Sequence, residues 1–192
     1  DMGRMFGFAY GEKENGAVFS HMTVMYANAL YRRGFAREGY KALQTLADTA
    51  LDFQTSRIFP GIPEYFNAGG RGMYHYLTGA ASWYMLTVIT EAFGVRGEKG
   101  DLAIAPKLMR EQFDRSGTAA IELLFAGKSF RVTMVNLTGK DYGAYHIGKA
   151  YLSGLSPSSI SRLPVEDGKA LLRREVIDCL PELGNSIMVE LM

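Results

Sequence analysis

The sequence predicts an α+β chain with a helical first half and a mainly β second half. Three observations predict it. Apolar residues recur at helical spacing in stretches between about Phe19 and Phe93. They alternate with polar residues over Phe130, Arg131, Val132, Thr133 and Met134, which is strand periodicity. Between these regions Gly97, Gly100 and Asp101 mark a change of character. The division is therefore 1–97 and 98–192.

Phe19 to Leu51 reads as two helices. Val24, Tyr26, Ala27, Leu30 and Tyr31 share the first face, and Gly34 stops it. Tyr40, Leu43, Leu46, Ala47 and Leu51 share the second. The short Gly-Phe connection predicts an antiparallel hairpin. Ser56 to Gly72 carries Pro60, Gly61, Pro63, Gly69, Gly70 and Gly72, and predicts a long loop of the kind that usually serves function. Ala80 to Phe93 returns to helix, with Trp83, Leu86, Ile89, Thr90 and Phe93 on one face and Gly94 at its end. Thr118–Ala126 and Lys128–Asn136 predict two runs around a turn at Gly127. Tyr145–Leu152 and Ile187–Leu191 are further strand candidates, so the second half reads as β-sandwich-like.

With 47% hydrophobic residues the chain can bury a core. A net charge of +1 offers no basic field for nucleic acid. Every long apolar run is broken by Lys, Arg, Asp or Glu, so no membrane partner is expected. The lone Cys179 cannot close an internal disulfide, and there is no signal-peptide h-region, so a cytoplasmic location is expected. The chain begins at Asp1, without an initiator Met, which predicts a piece of something longer. Three or four helices with aromatic faces need more helices to cover them, upstream or in another chain.

Two clusters stand at the start of helix-like stretches: Lys13-Glu14-Asn15-Gly16-Ala17-Val18-Phe19-Ser20-His21 and Leu77-Thr78-Gly79-Ala80-Ala81-Ser82-Trp83. Helix starts offer unpaired backbone N–H groups to an anion. Thr78 and Gly79 suit that task, since a hydroxyl and a glycine amide let an anion approach closely. Each residue alone also has a plainer reading: His21 as a structural helix-start residue, Thr78 as an N-cap, Lys13 as a solvated surface lysine. Trp83 fits core packing as well as sugar contact.

The first cluster resembles the K-E-N-G-G-x-F-x-H stretch of glycoside hydrolase family 94, the cellobiose- and chitobiose-phosphorylase-like enzymes. The second resembles that family's L-T-G-T-A-S-W motif. Pro60-Gly61-Ile62-Pro63-Glu64-Tyr65 and Arg71-Gly72-Met73-Tyr74-His75-Tyr76 are closer to the branch acting on β-1,2-glucans, which includes 1,2-β-oligoglucan phosphorylases. The likeness runs to about Tyr145, and beyond Leu155 there is no match. It implies the last helices of an (α/α)6 barrel followed by a small C-terminal β-sandwich or jelly-roll-like domain. It also implies inverting phosphorolysis of a β-glucoside to an α-sugar 1-phosphate, with inorganic phosphate as co-substrate and no cofactor or metal. Phosphate is itself the nucleophile, so one acid suffices where an inverting hydrolase needs an acid and a base. By the resemblance His21, Thr78 and Gly79 bind phosphate and Lys13 touches the glucosyl unit. Glu64, on the breaker-rich loop, is a further candidate for sugar hydroxyls.

The sequence departs from the family at Ala17 and Ala80, both small replacements, and nothing in it matches the motifs of the catalytic Asp or the phosphate-binding Arg. Asp48, Asp52 and Asp114 have no supporting pattern. The resemblance thus implies a C-terminal portion whose general acid lies upstream. Its expected partners are a β-gluco-oligosaccharide, phosphate, the rest of the barrel, and a second copy in a homodimer of the full enzyme. Alternatives are a cellobiose phosphorylase, the phosphorylase-like domain of a cyclic β-1,2-glucan synthase and, from another class, a non-catalytic carbohydrate-binding or assembly module.

Overall fold

A computed structural model describes residues 3–59, 61–75, 79–153 and 160–192. The described residues form five α-helices and three sheets, a mixed α+β architecture. The chain divides into two compact units, one ending at Val88 and the other starting at Ile89. Among the described residues no helix is long and apolar enough to cross a membrane.

In the first unit β1 (Val18–Phe19) leads into α1 (Ser20–Arg32), followed by α2 (Ala36–Leu51) and α3 (Phe53–Ser56). Next come β2 (Tyr65–Phe66), β3 (Gly72–Met73) and α4 (Gly79–Thr87). The expected hairpin of helices is α1 and α2. Val24, Ala27 and Tyr31 of α1 are fully buried, and Leu43 and Leu46 of α2 nearly so. Gly39 permits the close approach: a Cβ there would stand 2.6 Å from the Tyr31 ring. Two residues assigned to the buried faces are exposed instead, Tyr26 and Leu51. They sit at the edges of their stripes, where a helix face passes from core to surface. The expected long loop is pinned by pairing: β2 joins β1 and β3 antiparallel, Phe19 opposite Tyr65 and Tyr65 opposite Met73.

A π-helical turn, Val88–Ala92, follows α4. The stripe expected on this helix differs from the one the fold buries. Ala80, Thr87, Glu91 and Ala92 are buried, whereas Leu86 and Met85 are exposed. α4 is apolar nearly all round, so its sequence carries no angular signal to say which face packs. Met22, Met25 and Tyr26 on α1 are also exposed, so apolar helix faces remain uncovered within the described residues.

The second unit holds β4 (Val95–Glu98), β5 (Asp101–Ile104), β6 (Thr118–Phe125), β7 (Lys128–Val135), β8 (Ile147–Ser153) and β9 (Ile160–Arg162). It ends with β10 (Val165–Glu166), β11 (Lys169–Leu172), α5 (Arg174–Cys179) and β12 (Asn185–Leu191). One sheet has the order β10-β11-β5-β4 and the other β6-β7-β12-β8-β9. The alternation read from the sequence is realised in β7, where Phe130, Val132 and Met134 are fully buried. β12 pairs parallel with β7 and antiparallel with β8, burying Ile187, Val189 and Leu191.

Three hairpins turn through paired positive-φ residues: Lys99-Gly100, Ala126-Gly127 and Asp167-Gly168. Positive φ at both central positions is the type I′ turn, whose twist suits antiparallel strands. Gly94 is held more tightly. Its φ is +67°, and a Cβ there would collide with the Ala105 carbonyl, to whose residue it is already bonded through Ala105 N–H. Gly94→Ala should cost at least about 2 kcal/mol from backbone strain plus overlap. A shift in the denaturant midpoint of the second unit's unfolding measures it.

Asp114 closes the turn before β6. Its carboxylate accepts from Ser116 N–H at 2.8 Å and Oγ at 2.6 Å, and from Thr118 N–H and Oγ1, both at 2.9 Å. These bonds, the Ser116 hydroxyl first, pull its pKa down to about 2. A depressed carboxylate contributes stability above its unfolded value, 3.8, and loses it as pH falls through about 2. The wild type should therefore lose melting temperature more steeply between those values than Asp114→Asn does. Equal acid limbs would show that the turn contributes nothing.

Candidate functional site

His21 is the second residue of α1, and Gly79 is the first of α4. They meet. A Cβ placed on Gly79 would stand 2.8 Å from His21 Cε1 and 2.9 Å from Nδ1, so the imidazole occupies the space that a side chain would need. Trp83, one turn into α4, lies on the same imidazole with ring centroids 5.8 Å apart. Further along both helices, Asn28 Nδ2 donates to Thr87 Oγ1 across a buried 3.1 Å. Contacts near both starts and again further on mean that α1 and α4 run side by side in the same direction. Their N-termini therefore lie at one end, and two positive dipole ends converge where His21 stands.

Two polar atoms at that end have unspent capacity. His21 Nε2 and Ser20 Oγ are buried and lack a hydrogen-bond partner among the described residues. Such groups ordinarily find partners, and leaving one without costs free energy. The N-cap of α1 is Phe19, which supplies no side-chain cap. An anion accepting from an imidazole N–H and helix-start amides would satisfy this arrangement. Thr78 lies outside the described residues.

Lys13 and Glu64 also come together. Lys13 Nζ is 3.7 Å from Glu64 Oε2. The ammonium lies over the Tyr74 ring, 3.9 Å from its centroid, and 5.7 Å from that of Tyr65. Ser20 N–H donates to the Glu64 carbonyl at 2.9 Å, so the pair is tied by backbone to the residue preceding His21. The loop keeps its shape through Glu12, which accepts from Tyr65 OH at 2.9 Å. Burial, with that bond second, pushes the Tyr65 phenol up to about 12. Gly11 packs where a Cβ would collide with Ala68, drawing the first cluster onto the loop. Lys13 and Tyr74 themselves have φ of +41° and +58°. Left-handed backbone at a bulky residue is unusual and costs on the order of 1–3 kcal/mol.

His75 is exposed, and His146 exchanges backbone hydrogen bonds with Met192. Asp48 accepts from Gln44, and Asp52 caps α3 through Gln54 N–H and Thr55 Oγ1. Among the described residues His, Cys, Asp and Glu form no cluster able to hold a metal ion. Tyr74, Tyr65 and Glu12 join the site without having been singled out from the sequence. The aromatics beside loop glycines were the available signal, but which cation each would face depends on contacts between distant residues.

No family model matches the chain. It is 28% identical over 120 residues to a cellobionic acid phosphorylase of Neurospora crassa, covering 56% of this chain and 15% of that protein. The chain thus spans a small part of the length of the relative that it matches. This distant similarity is to a phosphorylase and supports that class of activity coarsely.

Proposed function

We propose that the chain is the C-terminal portion of an inverting β-glucan phosphorylase of the family 94 type, completing an (α/α)6 barrel and adding a β domain. The single observation that carries this reading is the His21 imidazole seated on Gly79 between two helix starts, its Nε2 buried without a partner among the described residues. In this reading phosphate accepts from His21, the Thr78 hydroxyl and the Gly79 amide. Lys13 and Glu64 hold hydroxyls of the donor glucose. The general acid and a phosphate-binding Arg come from the rest of the barrel. Donors aimed at phosphate raise its local concentration and align it with the anomeric carbon, while the acid protonates the departing oxygen.

The donor linkage proposed is β-1,2, on the likeness of the Pro60–Tyr76 stretch to the branch acting on such glucans. A second reading takes an oxidised disaccharide as substrate, because the relative is named for cellobionic acid. The test is to incubate the complete enzyme with phosphate and, separately, β-1,2-linked and β-1,4-linked gluco-oligosaccharides and cellobionic acid. Release of α-glucose 1-phosphate from the β-1,2 series supports the first reading. Release from cellobionic acid alone selects the second. Hydrolysis that ignores phosphate removes both.

A further inference from the structure

The geometry points to Tyr74 as a positioning residue that presents Lys13 to the sugar; this rests on the phosphorylase reading above. Lys13 Nζ makes no hydrogen bond among the described residues. It is held by the Tyr74 ring at 3.9 Å, the Tyr65 ring at 5.7 Å and a 3.7 Å ion pair to Glu64. Ring faces and a long ion pair fix an ammonium electrostatically and leave its three N–H donors for a ligand. The Lys13 side chain is only 21% exposed, so those donors open onto a restricted space. Tyr74 itself is 43% exposed, an aromatic face beside an ammonium and a carboxylate. That is a combination suited to a neutral polyol rather than to an anion, which the Glu64 charge would repel.

The backbone supports the assignment. Tyr74 is left-handed at φ +58°, a conformation that glycine would adopt without strain, and its carbonyl is pinned by Glu64 N–H at 3.0 Å. Opposite it, Lys13 is left-handed at φ +41°. Two strained residues meeting side chain to side chain indicate that the contact, and not chain economy, fixes both residue types.

The test uses the complete enzyme with Tyr74→Phe, Tyr74→Gly, Lys13→Met and the Lys13→Met/Tyr74→Gly double variant. Binding of the oligosaccharide that the wild type cleaves best, or of a β-1,2-linked gluco-oligosaccharide if it cleaves none, is followed by calorimetry without phosphate. Phosphorolysis is assayed in parallel. Tyr74→Phe should bind within about twofold of wild type, since the ring face is kept. Tyr74→Gly should melt no lower than wild type, its backbone strain relieved, yet bind sugar roughly fivefold to tenfold more weakly. Its KM for phosphate should stay within about twofold, and the double variant should be no worse than Lys13→Met. Unchanged sugar binding in Tyr74→Gly, equal loss in Tyr74→Phe, or additive losses in the double variant would overturn the assignment. So would a wild type that binds no sugar. A wild type that binds sugar with these variant effects but performs no phosphorolysis would leave the assignment standing and remove the phosphorylase reading.

Discussion

In the complete enzyme His21→Ala is expected to raise the apparent KM for phosphate, or lower turnover at fixed phosphate, by roughly 10- to 100-fold. A hydrogen bond to a charged group contributes about 1.5–3 kcal/mol, and each 1.4 kcal/mol is a factor of ten. The KM for the oligosaccharide should move much less, because Lys13 and Glu64 remain. Stability supplies a second signature. Among the described residues the imidazole's Nε2 has no partner to lose, so the variant gives up ring packing on Trp83 but no hydrogen bond from that atom to any of them. A large kinetic loss with a small change in melting temperature marks a residue kept for its ligand. Unchanged phosphate kinetics would remove His21 from the site.

Gly79→Ala should reproduce much of that loss without touching the histidine. The added Cβ would stand 2.8 Å from Cε1 and 2.9 Å from Nδ1 of the ring, closer than real Cβ atoms come. The imidazole must tilt away, and the amide approach to the anion narrows as well. A displacement of about 1 Å in a positioning group can cost on the order of 10²-fold. The double variant His21→Ala/Gly79→Ala should then fall short of the product of the two single losses, since the alanine at 21 frees the space that the new methyl needs. Fully multiplicative losses would mean that the two residues act separately. Phosphate kinetics of the three variants, measured at saturating oligosaccharide, decide the point.

What the sequence made legible depended on how local the signal was. β7 was readable because Phe130, Val132 and Met134 alternate, and its hairpin with β6 because Gly127 breaks the run. The helices α1 and α2 were readable from periodicity and Gly34. The hairpins β4–β5 and β10–β11 and the short α5 were not identified as elements. Their stretches are too short for periodicity, although Asp167-Gly168 carried the Asp-Gly signature of a type I′ turn. His21 and Gly79 were singled out through motifs that reach the starts of α1 and α4. That the two helices run in parallel with their starts together could not be read from either motif. The pairing of Lys13 with Tyr74 and of Glu12 with Tyr65 joins residues more than fifty positions apart, where no local rule applies.

The central claim is that this chain carries part of a phosphate site while the acid that completes the reaction lies elsewhere in the enzyme. The most direct measurement compares the purified 192-residue chain with the complete enzyme, each given phosphate and β-gluco-oligosaccharides, and assays α-glucose 1-phosphate. The complete enzyme should release it and the 192-residue chain should not. A positioned acid contributes about 10²- to 10⁴-fold, and the remaining barrel wall is needed to hold the donor in line. Release by the 192-residue chain, abolished by replacing one of its own carboxylates, would place the acid within it and contradict the account.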